Sequence, residues 1–278
     1  MATFDSDRPS GELDFRGRVV VVTGGASGIG RGISEAFLAA GADVVVCGRS
    51  PVAEDRLPAA TDAAGAVRKA VFVAGDVRES DQAAGVMAFA VERFGRIDTL
   101  VNNAGGSPQV EAAVASPRFS ASIVALNLLA PLYCAQAANS YLQAQEEGGS
   151  IVNISSVSGL RPSPGTAAYG AAKAGLISLT QSLAMEWAPK VRVNAVTAGL
   201  VATEGAADHY GGTEEMARIA ATVPLGRFGT PADVAGPCLF LASTLAAYVS
   251  GANLVAHGGG EWPAFLTAVQ GAPERGPR

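Results

Sequence analysis

A tyrosine and a lysine stand four residues apart in the segment AAYGAAKAG, at Tyr169 and Lys173. On a helix this spacing places both side chains on one face. A free phenol titrates near pH ~10, so a tyrosine that moves a proton at neutral pH needs its anion stabilised, and a nearby ammonium does this. The pair therefore indicates general acid–base chemistry, in which Tyr169 exchanges the proton and Lys173 lowers its pKa. The alternative is a chance pair on an exposed helix.

Two further segments carry groups that suit this chemistry. Ser155, Ser156 and Ser158 follow an apolar run in NISSVSG. A hydroxyl there could hold a carbonyl oxygen, although serines at a strand end also act as caps. Asn127 stands four residues before Pro131 in a segment of helical composition. Because proline has no N–H for the carbonyl of residue i−4, we expect the Asn127 carbonyl to be free to hold a water leading toward the lysine; the alternative is a proline kink without chemistry.

A glycine-rich segment, TGGASGIG at 23–30, lies between an apolar run and a helical pattern. Glycines at a strand-to-helix turn allow the backbone to approach a pyrophosphate, whose charge is met by the helix N-terminus. The spacing of Gly24, Gly28 and Gly30 departs from GxGxxG, and such a turn alone is a weak signal. Its place in a βαβ unit favours a dinucleotide site.

The end of the second apolar run bears on the choice between NAD and NADP. Asp43 precedes this run and so lies at the wrong end of the predicted strand, whereas Arg49 and Ser50 follow it. NAD-binding folds usually place an acid at this edge for the ribose hydroxyls, and none is present here. A 2′-phosphate would pair with Arg49 and accept a hydrogen bond from Ser50. The sequence therefore favours NADP; NAD, with Arg49 as a solvated loop residue, is the alternative.

These segments need a scaffold, and the apolar runs predict a parallel sheet. The runs are apolar throughout rather than alternating, as strands covered by helices on both faces require. Helical patterns stand between them and no stretch looks like a linker, so we expect a single α/β domain. The predicted strands lie in RVVVVTGG, DVVVCGR, KAVFVAGDV, IDTLVNNAGG, GGSIVNISS, KVRVNAVTAG and SGANLVAHGGG.

Composition bounds the class of protein. The 278 residues are 49% hydrophobic and 16% charged with a net charge of −5, which fits a densely buried core or a subunit that hides surface in an oligomer. The basic residues are scattered, which argues against a nucleic-acid partner. Cys47, Cys134 and Cys238 are widely spaced among apolar residues, as buried thiols of a reducing compartment are, and no Cys/His cluster indicates a metal. With no signal-peptide pattern and no apolar run of ~20 residues, we expect a cytoplasmic protein without a membrane partner.

Two long segments lack charge, at 119–145 and 174–185. Helices that are apolar or small all round must be buried on every side, which predicts a homodimer or homotetramer built on them. The connection after the sixth apolar run is rich in glycine and small polar residues, and we expect its segment 206–219 to act as a lid.

In order along the chain, TGGASGIG, NNAG at 102–105, Asn127, ISS, YGAAK and NAVTAG make this sequence resemble the short-chain dehydrogenase/reductase family. The likeness implies a Rossmann-type doubly wound sheet of seven parallel strands over residues 15–262, after a polar leader at 1–14 and before a tail at 263–278. It implies a tetramer and hydride transfer between a nicotinamide and a carbonyl or alcohol. The family's catalytic residues fall on Asn127, Ser156, Tyr169 and Lys173, with Ser156 preferred over Ser155 because the family serine stands thirteen residues before the tyrosine.

The same resemblance assigns a cofactor site. Asp76 and Val77 would line the adenine pocket. Val201 and Thr203 would meet the nicotinamide carboxamide, and Lys173 would also bind the nicotinamide ribose. The implied set is Thr23, Gly24, Ser27, Gly28, Ile29, Gly30, Arg49, Ser50, Asp76, Val77, Asn103, Ala104, Gly105, Tyr169, Lys173, Gly199, Val201 and Thr203.

Two positions depart from the family's pattern. Ala198 precedes Gly199 where the family usually has Pro-Gly, and His257 stands where an acid often precedes two glycines. We interpret His257 as structural or interfacial.

The predicted activity is that of an NADP-dependent carbonyl reductase or alcohol dehydrogenase for a small-molecule ketone or alcohol, similar to 3-oxoacyl-thioester reductases. The alternatives are an NAD-dependent hydroxy-compound dehydrogenase and a non-catalytic nucleotide-binding protein of the same fold. Candidate substrate contacts are Ser107, Leu160, Thr166, Leu200 and the lid segment 206–219.

Overall fold

The structure is a computed structural model that describes residues 13–206 and 210–270. Its strands are β1 (Val19–Thr23), β2 (Asp43–Gly48), β3 (Ala59–Thr61), β4 (Val67–Lys69), β5 (Val71–Ala74), β6 (Thr99–Asn102), β7 (Gly149–Ser156), β8 (Val191–Ala198) and β9 (Asn253–Ala256). All except β3 and β4 form one parallel sheet in the order β5-β2-β1-β6-β7-β8-β9. The predicted seven-stranded, Rossmann-type doubly wound sheet is confirmed. Its order reverses between β1 and β6, the point at which such sheets bind ligands.

Helices cover both faces of this sheet. Within the described residues the α-helices include α1 (Gly28–Ala39), α2 (Ser80–Phe94), α3 (Pro117–Val124), α4 (Ala130–Ala144), α5 (Ala167–Glu186), α6 (Thr213–Thr222), α7 (Pro231–Ala242) and α8 (Ala264–Gln270). On β1, Val20 and Val22 pack into a core with α1 and α7, whereas Val21 packs into the opposite core with α2 and α4. Successive side chains of a strand point to opposite faces, so a strand covered on both sides must be apolar at every position.

A small hairpin between β2 and β5 was not predicted. β3 and β4 pair antiparallel across a turn in which Gly65 has φ +82°. Asp62 stabilises the turn, because its Oδ1 accepts hydrogen bonds from the backbone N–H groups of Ala64 and Ala66 and its Oδ2 accepts one from Arg68. Strands of only three residues carry too little periodicity to be recognised in the sequence. The helix α8 likewise lies where the sequence indicated only a tail.

The uncharged segment before β7 is one helical stretch, Pro117–Ala144, in which a π-turn at Ala125–Leu129 joins α3 to α4. By length and apolar composition this stretch is long enough to cross a membrane, so the expectation that no apolar run reaches that length is wrong. In the fold it belongs to a layer covering the sheet, with Cys134 and Leu142 in the core shared with α2. Cys47 and Cys238 are also buried, as predicted, and all three thiols are free.

Candidate active site

A cleft of about 1100 Å³ opens at the carboxyl ends of the parallel strands, where the strand order reverses. Its walls are the segments that follow β1, β2, β6, β7 and β8, so residues far apart in the sequence meet there. The register explains this convergence, since Val22 is level with Val46 on one side and with Val101 on the other. The carboxyl ends of neighbouring strands thus lie side by side, as the rule for open α/β sheets requires.

Most of the residues assigned from the sequence line this cleft, and three do not. Thr23 and Asn127 are buried behind its wall, and Ser50 is exposed beyond its edge. The assigned residues that line it are Gly24, Ser27, Gly28, Ile29, Gly30, Arg49, Asp76, Val77, Asn103, Ala104, Gly105, Ser156, Tyr169, Lys173, Gly199, Val201 and Thr203.

The glycine-rich turn leaves room for a ligand at the start of α1. Gly24 and Gly28 have φ of +62° and +52°, in the left-handed region that side chains rarely adopt. A Cβ on Gly30 would lie 2.3 Å from the Gly24 carbonyl oxygen, so α1 can approach β1 this closely only at a glycine. The first turn of α1 contains no acid and its N-cap Ser27 makes no side-chain cap, so unpaired N–H groups face the cleft. These features fit the pyrophosphate of a dinucleotide.

Thr23 positions this turn rather than contacting the cleft. Its hydroxyl accepts hydrogen bonds from the backbone N–H groups of Asn103 and Ala104, each 3.0 Å long. In return, the Asn103 side chain donates to the carbonyl of Thr23 at 3.0 Å and to that of Gly24 at 3.3 Å. The loop after β6 is thereby tied to the glycine turn after β1.

Three charged groups line the edge of the cleft beyond β2 and β5. Asp76 pairs with Arg78, whose side-chain hydrogen bond holds the Asp76 pKa below its usual range, with a smaller contribution from the charge of Arg49. Arg49 itself forms no hydrogen bond or ion pair with the part of the chain that the structure describes. Two arginines and one aspartate leave a net positive edge. Sequence reasoning missed Arg78; its position two residues after Asp76 was the available signal.

Tyr169 and Lys173 lie in the first turns of α5 and reach the cleft together. Lys173 Nζ is 5.7 Å from the centroid of the Tyr169 ring. Ser156, the last residue of β7, lines the cleft with the phenol and favours its anion. Lys173 is 3% exposed and donates to the carbonyl of Ile154 at 2.8 Å. Burial lowers its pKa from 10.5 to about 8.

The expected lowering of the Tyr169 pKa by Lys173 is wrong for this structure. Burial raises the pKa of the phenol, and the hydrogen bond from Ser156 opposes this shift. The physical reason is that the phenol is partly desolvated at the cleft wall, whereas the ammonium donates to the carbonyl of Ile154. Sequence spacing identified the pair but could not give the balance between desolvation and charge.

Asn127 acts from behind the cleft wall through the loop after β6. Its amide nitrogen donates to the carbonyls of Gly106 and Ile123, and its amide oxygen accepts from the N–H of Gly106, all at 2.9 Å. A Cβ on Gly105 would lie 2.7 Å from the Asn127 oxygen and 3.2 Å from Lys173 Nζ. Only a glycine fits between these two side chains. The π-turn that contains Asn127 ends just before Pro131, and the proposed water on the Asn127 carbonyl stays a prediction.

The substrate end of the cleft combines predicted and unpredicted residues. Ser107, Thr166 and Leu200 line it as predicted, whereas Leu160 is 51% exposed and does not. Of the lid segment, Ala206 and Tyr210 line the cleft, and residues 207–209 lie outside the described residues. The structure adds Gln109, Arg161 and Ser163, which sequence reasoning did not assign to the site.

His257 packs against the loop after β8. A Cβ on Gly199 would lie 2.7 Å from the Cα of His257, so the glycine permits this contact. The His257 carbonyl accepts a hydrogen bond from the N–H of Gly260. These contacts suit the structural role expected for His257.

Comparisons with known proteins agree with this geometry. A family model described as enoyl-(acyl carrier protein) reductase matches residues 24–261. An uncharacterized oxidoreductase of Methylorubrum extorquens is 42% identical, covering 88% of this chain and 98% of the relative. L-rhamnose 1-dehydrogenase (NAD(P)(+)) of Azotobacter vinelandii is 39% identical, with coverages of 87% and 96%.

Among solved structures, a proposed NAD(P)-dependent gluconate 5-dehydrogenase from Beutenbergia cavernae, with NADP bound at low occupancy, superposes with a TM-score of 0.81. It is 36% identical, and the match covers 90% of this chain and 98% of that one. The cleft, the sheet order and these similarities over almost the whole chain lead to the same conclusion. This protein is an oxidoreductase and belongs to the short-chain dehydrogenase/reductase family.

Proposed function

We propose that this chain transfers hydride between NADP(H) and a carbonyl or secondary alcohol, with Tyr169 as the general acid and base. The observation that carries the proposal is that Ser156, Tyr169 and the buried Lys173 line the same cleft as the glycine turn, with Lys173 Nζ 5.7 Å from the centroid of the Tyr169 ring. A phenol that can exchange a proton therefore lies in one cavity with a site that fits a dinucleotide.

Each side chain has a defined task in this proposal. Ser156 donates a hydrogen bond toward oxygen, which stabilises negative charge on the phenol or on a substrate carbonyl. Tyr169 gives its proton to the carbonyl oxygen in reduction and removes it from the alcohol in oxidation. Lys173, with a pKa of about 8, is close enough to neutral pH to take part in resupplying that proton. Bound NADP(H) would supply or accept the hydride.

Charge at the adenine edge supports NADP over NAD. A 2′-phosphate carries ~1.5 to 2 negative charges, and the edge formed by Arg49, Asp76 and Arg78 has a net charge of the opposite sign. Arg78 is already paired with Asp76, so Arg49 is the group left to meet a phosphate. NAD as the working cofactor remains the rival, because the Azotobacter vinelandii relative is named for both nucleotides.

We also propose that the protein works as a homotetramer or homodimer. On α5, Met185 is 85% exposed in a single chain, and no charged residue precedes it between 174 and 185. Size-exclusion chromatography with light scattering measures the assembly directly, and a monomer would contradict this part of the proposal.

The mechanism is tested by replacing Tyr169 with phenylalanine. This change removes one oxygen and keeps the ring, so NADPH binding followed by fluorescence should stay within about twofold. Carbonyl reduction should fall by at least ~100-fold, as expected for the loss of a general acid. Unchanged turnover with intact NADPH binding would refute the assignment of Tyr169. Wild-type protein that binds NADPH but turns over no carbonyl or alcohol would favour the non-catalytic alternative.

A further inference from the structure

Three hydroxyls beside the catalytic serine form a directed chain of hydrogen bonds. Ser163 donates to Ser158 over 3.0 Å, and Ser163 and Thr166 lie 2.6 Å apart. A hydroxyl has one hydrogen to donate, and Ser163 donates its hydrogen to Ser158. Thr166 is therefore the donor in the second bond. The chain therefore ends at Ser158, whose own hydrogen meets no acceptor among the described residues. All three residues line the cleft.

An ion pair at the same end of the cleft also has unused hydrogen-bonding capacity. Arg161 Nε and Nη2 both donate to Oε1 of Glu261, and Nη1 donates to the carbonyl of Pro162. Each terminal nitrogen carries a second hydrogen, which these contacts do not use. Within the described ranges, Glu261 Oε2 accepts no hydrogen bond. The pair thus offers N–H donors and a carboxylate acceptor side by side, without net charge.

These groups are close to the reacting phenol. Arg161 lines the cleft three residues after Ser158, and the N–H of Ser158 donates to the catalytic Ser156 hydroxyl at 3.2 Å. Burial raises the pKa of Tyr210, and the charges of Tyr169 and Glu261 raise it further while Arg161 lowers it. The phenol, Arg161 and Tyr210 therefore line one end of the cleft, and the ion pair holds Glu261 beside Arg161.

We propose that Ser158 and the Arg161–Glu261 pair form a subsite for a neutral polyhydroxylated substrate, a sugar or polyol with a vicinal diol near the reacting carbon. This inference rests on the proposed function and names its substrate class. Diol hydroxyls both accept and donate, so they can accept from Arg161 and donate to Glu261 Oε2. Ser158 then donates to a third oxygen.

Other substrate classes use these groups less well. A substrate carboxylate would meet an arginine already neutralised by Glu261 and would be repelled by that acid. The apolar chain of an acyl thioester would displace the water that hydrates Ser158, Arg161 and Glu261. It has no polar groups to replace the hydrogen bonds that this water makes. Sites that leave polar groups unpaired in this way reject the substrate strongly.

The test measures kcat/KM with the full-length protein and NADP+. The probes are neutral sugars and polyols (L-rhamnose, D-glucose, D-sorbitol and xylitol), the sugar acid D-gluconate, and cyclohexanol, which has no diol; acetoacetyl-CoA is tested with NADPH. The highest kcat/KM is expected for a neutral sugar or polyol. A highest value for D-gluconate, cyclohexanol or the thioester would overturn the inference.

Variants separate recognition from folding. Arg161→Met should lower the ratio of kcat/KM for the best polyol to that for cyclohexanol by about tenfold or more, and Ser158→Ala by about threefold or more, through KM. Ser158→Thr, which keeps a hydroxyl, should restore most of the ratio. Arg16→Met, which removes another exposed ion pair, with Asp14, is the matched control and should leave the ratio unchanged.

A ratio that stays constant in Arg161→Met and Ser158→Ala would refute the subsite, even if both variants lost activity overall. The failure of the subsite can be told from that of the proposed function. Turnover of cyclohexanol without preference for any polyol contradicts the subsite alone. Absence of NADP(H)-linked turnover with every probe contradicts both.

Discussion

Replacing Gly30 by alanine should weaken NADPH binding, whereas the same change at an unobstructed helical glycine should not. The added Cβ would lie 2.3 Å from the Gly24 carbonyl oxygen and 2.4 Å from Asn103 Nδ2, whereas real Cβ atoms essentially never come within 3.0 Å. The glycine turn must therefore open by about 0.7 Å or more at the carbonyl. Gly24 and Asn103 both line the cleft, so the shift that relieves the clash displaces groups of the proposed cofactor site.

The magnitude follows from two opposing effects on stability. Alanine in a helix is more favourable than glycine by ~0.5–1 kcal/mol, and overpacking costs ~1–3 kcal/mol. The free energy of unfolding should thus fall by at most about 2.5 kcal/mol. The displaced turn should raise the Kd for NADPH by about tenfold, which corresponds to ~1.4 kcal/mol.

Gly85 provides a matched control for this substitution. It lies in α2, also without positive φ, and a Cβ there would meet nothing within 4 Å. Gly85→Ala should therefore raise the free energy of unfolding by ~0.5–1 kcal/mol and leave the Kd unchanged. NADPH titration by fluorescence and urea unfolding without cofactor measure both quantities. If Gly30→Ala matched Gly85→Ala in both measurements, the proposed role of the turn would be refuted.

Two further predictions concern charge. Arg49→Met should raise the Kd for NADPH by about tenfold or more and that for NADH by less than about threefold, since only NADPH carries the 2′-phosphate. Fluorescence titrations with each nucleotide measure both Kd values, and Arg93→Met is the control. An equal loss of affinity for NADPH and NADH would contradict this prediction. Burial lowers the pKa of Lys173 from 10.5 to about 8. Below pH 8 the buried ammonium is charged and destabilises the folded state, and this destabilisation disappears as the pH rises toward 10.5. Relative to Lys173→Met, the wild-type free energy of unfolding should therefore rise by up to ~3 kcal/mol between pH 8 and 10.5. Urea unfolding at several pH values checks this, and parallel curves for the two proteins would count against it.

The sequence predicted the scaffold well because its signals are local. β1 reads VVVVT and is fully buried, since a strand covered on both faces needs an apolar residue at every position. The sequence also showed the glycine turn, the Tyr169–Lys173 spacing and the serines at the end of β7, because each lies within one strand-to-loop junction or one helical turn. The three-residue strands β3 and β4 were missed, since their stability comes from Asp62 and the turn rather than from a pattern of apolar residues.

Other properties depend on groups that meet only in the folded chain. Arg78 joins Arg49 at the cleft edge because β5 lies beside β2. Arg161 meets Glu261 across 100 positions of sequence, and the hydroxyl chain that ends at Ser158 depends on how the loop before α5 folds back.

The sequence by itself determined the parallel sheet, the cofactor turn and the candidate proton-transfer residues, because apolar runs and residue spacing encode these features locally. Tertiary structure alone decided the direction of the Tyr169 pKa shift, the net charge of the adenine edge and the polar groups at the substrate end of the cleft. The physical reason is that desolvation and Coulomb interactions depend on distances through space, and those distances are set by packing between elements far apart in the chain.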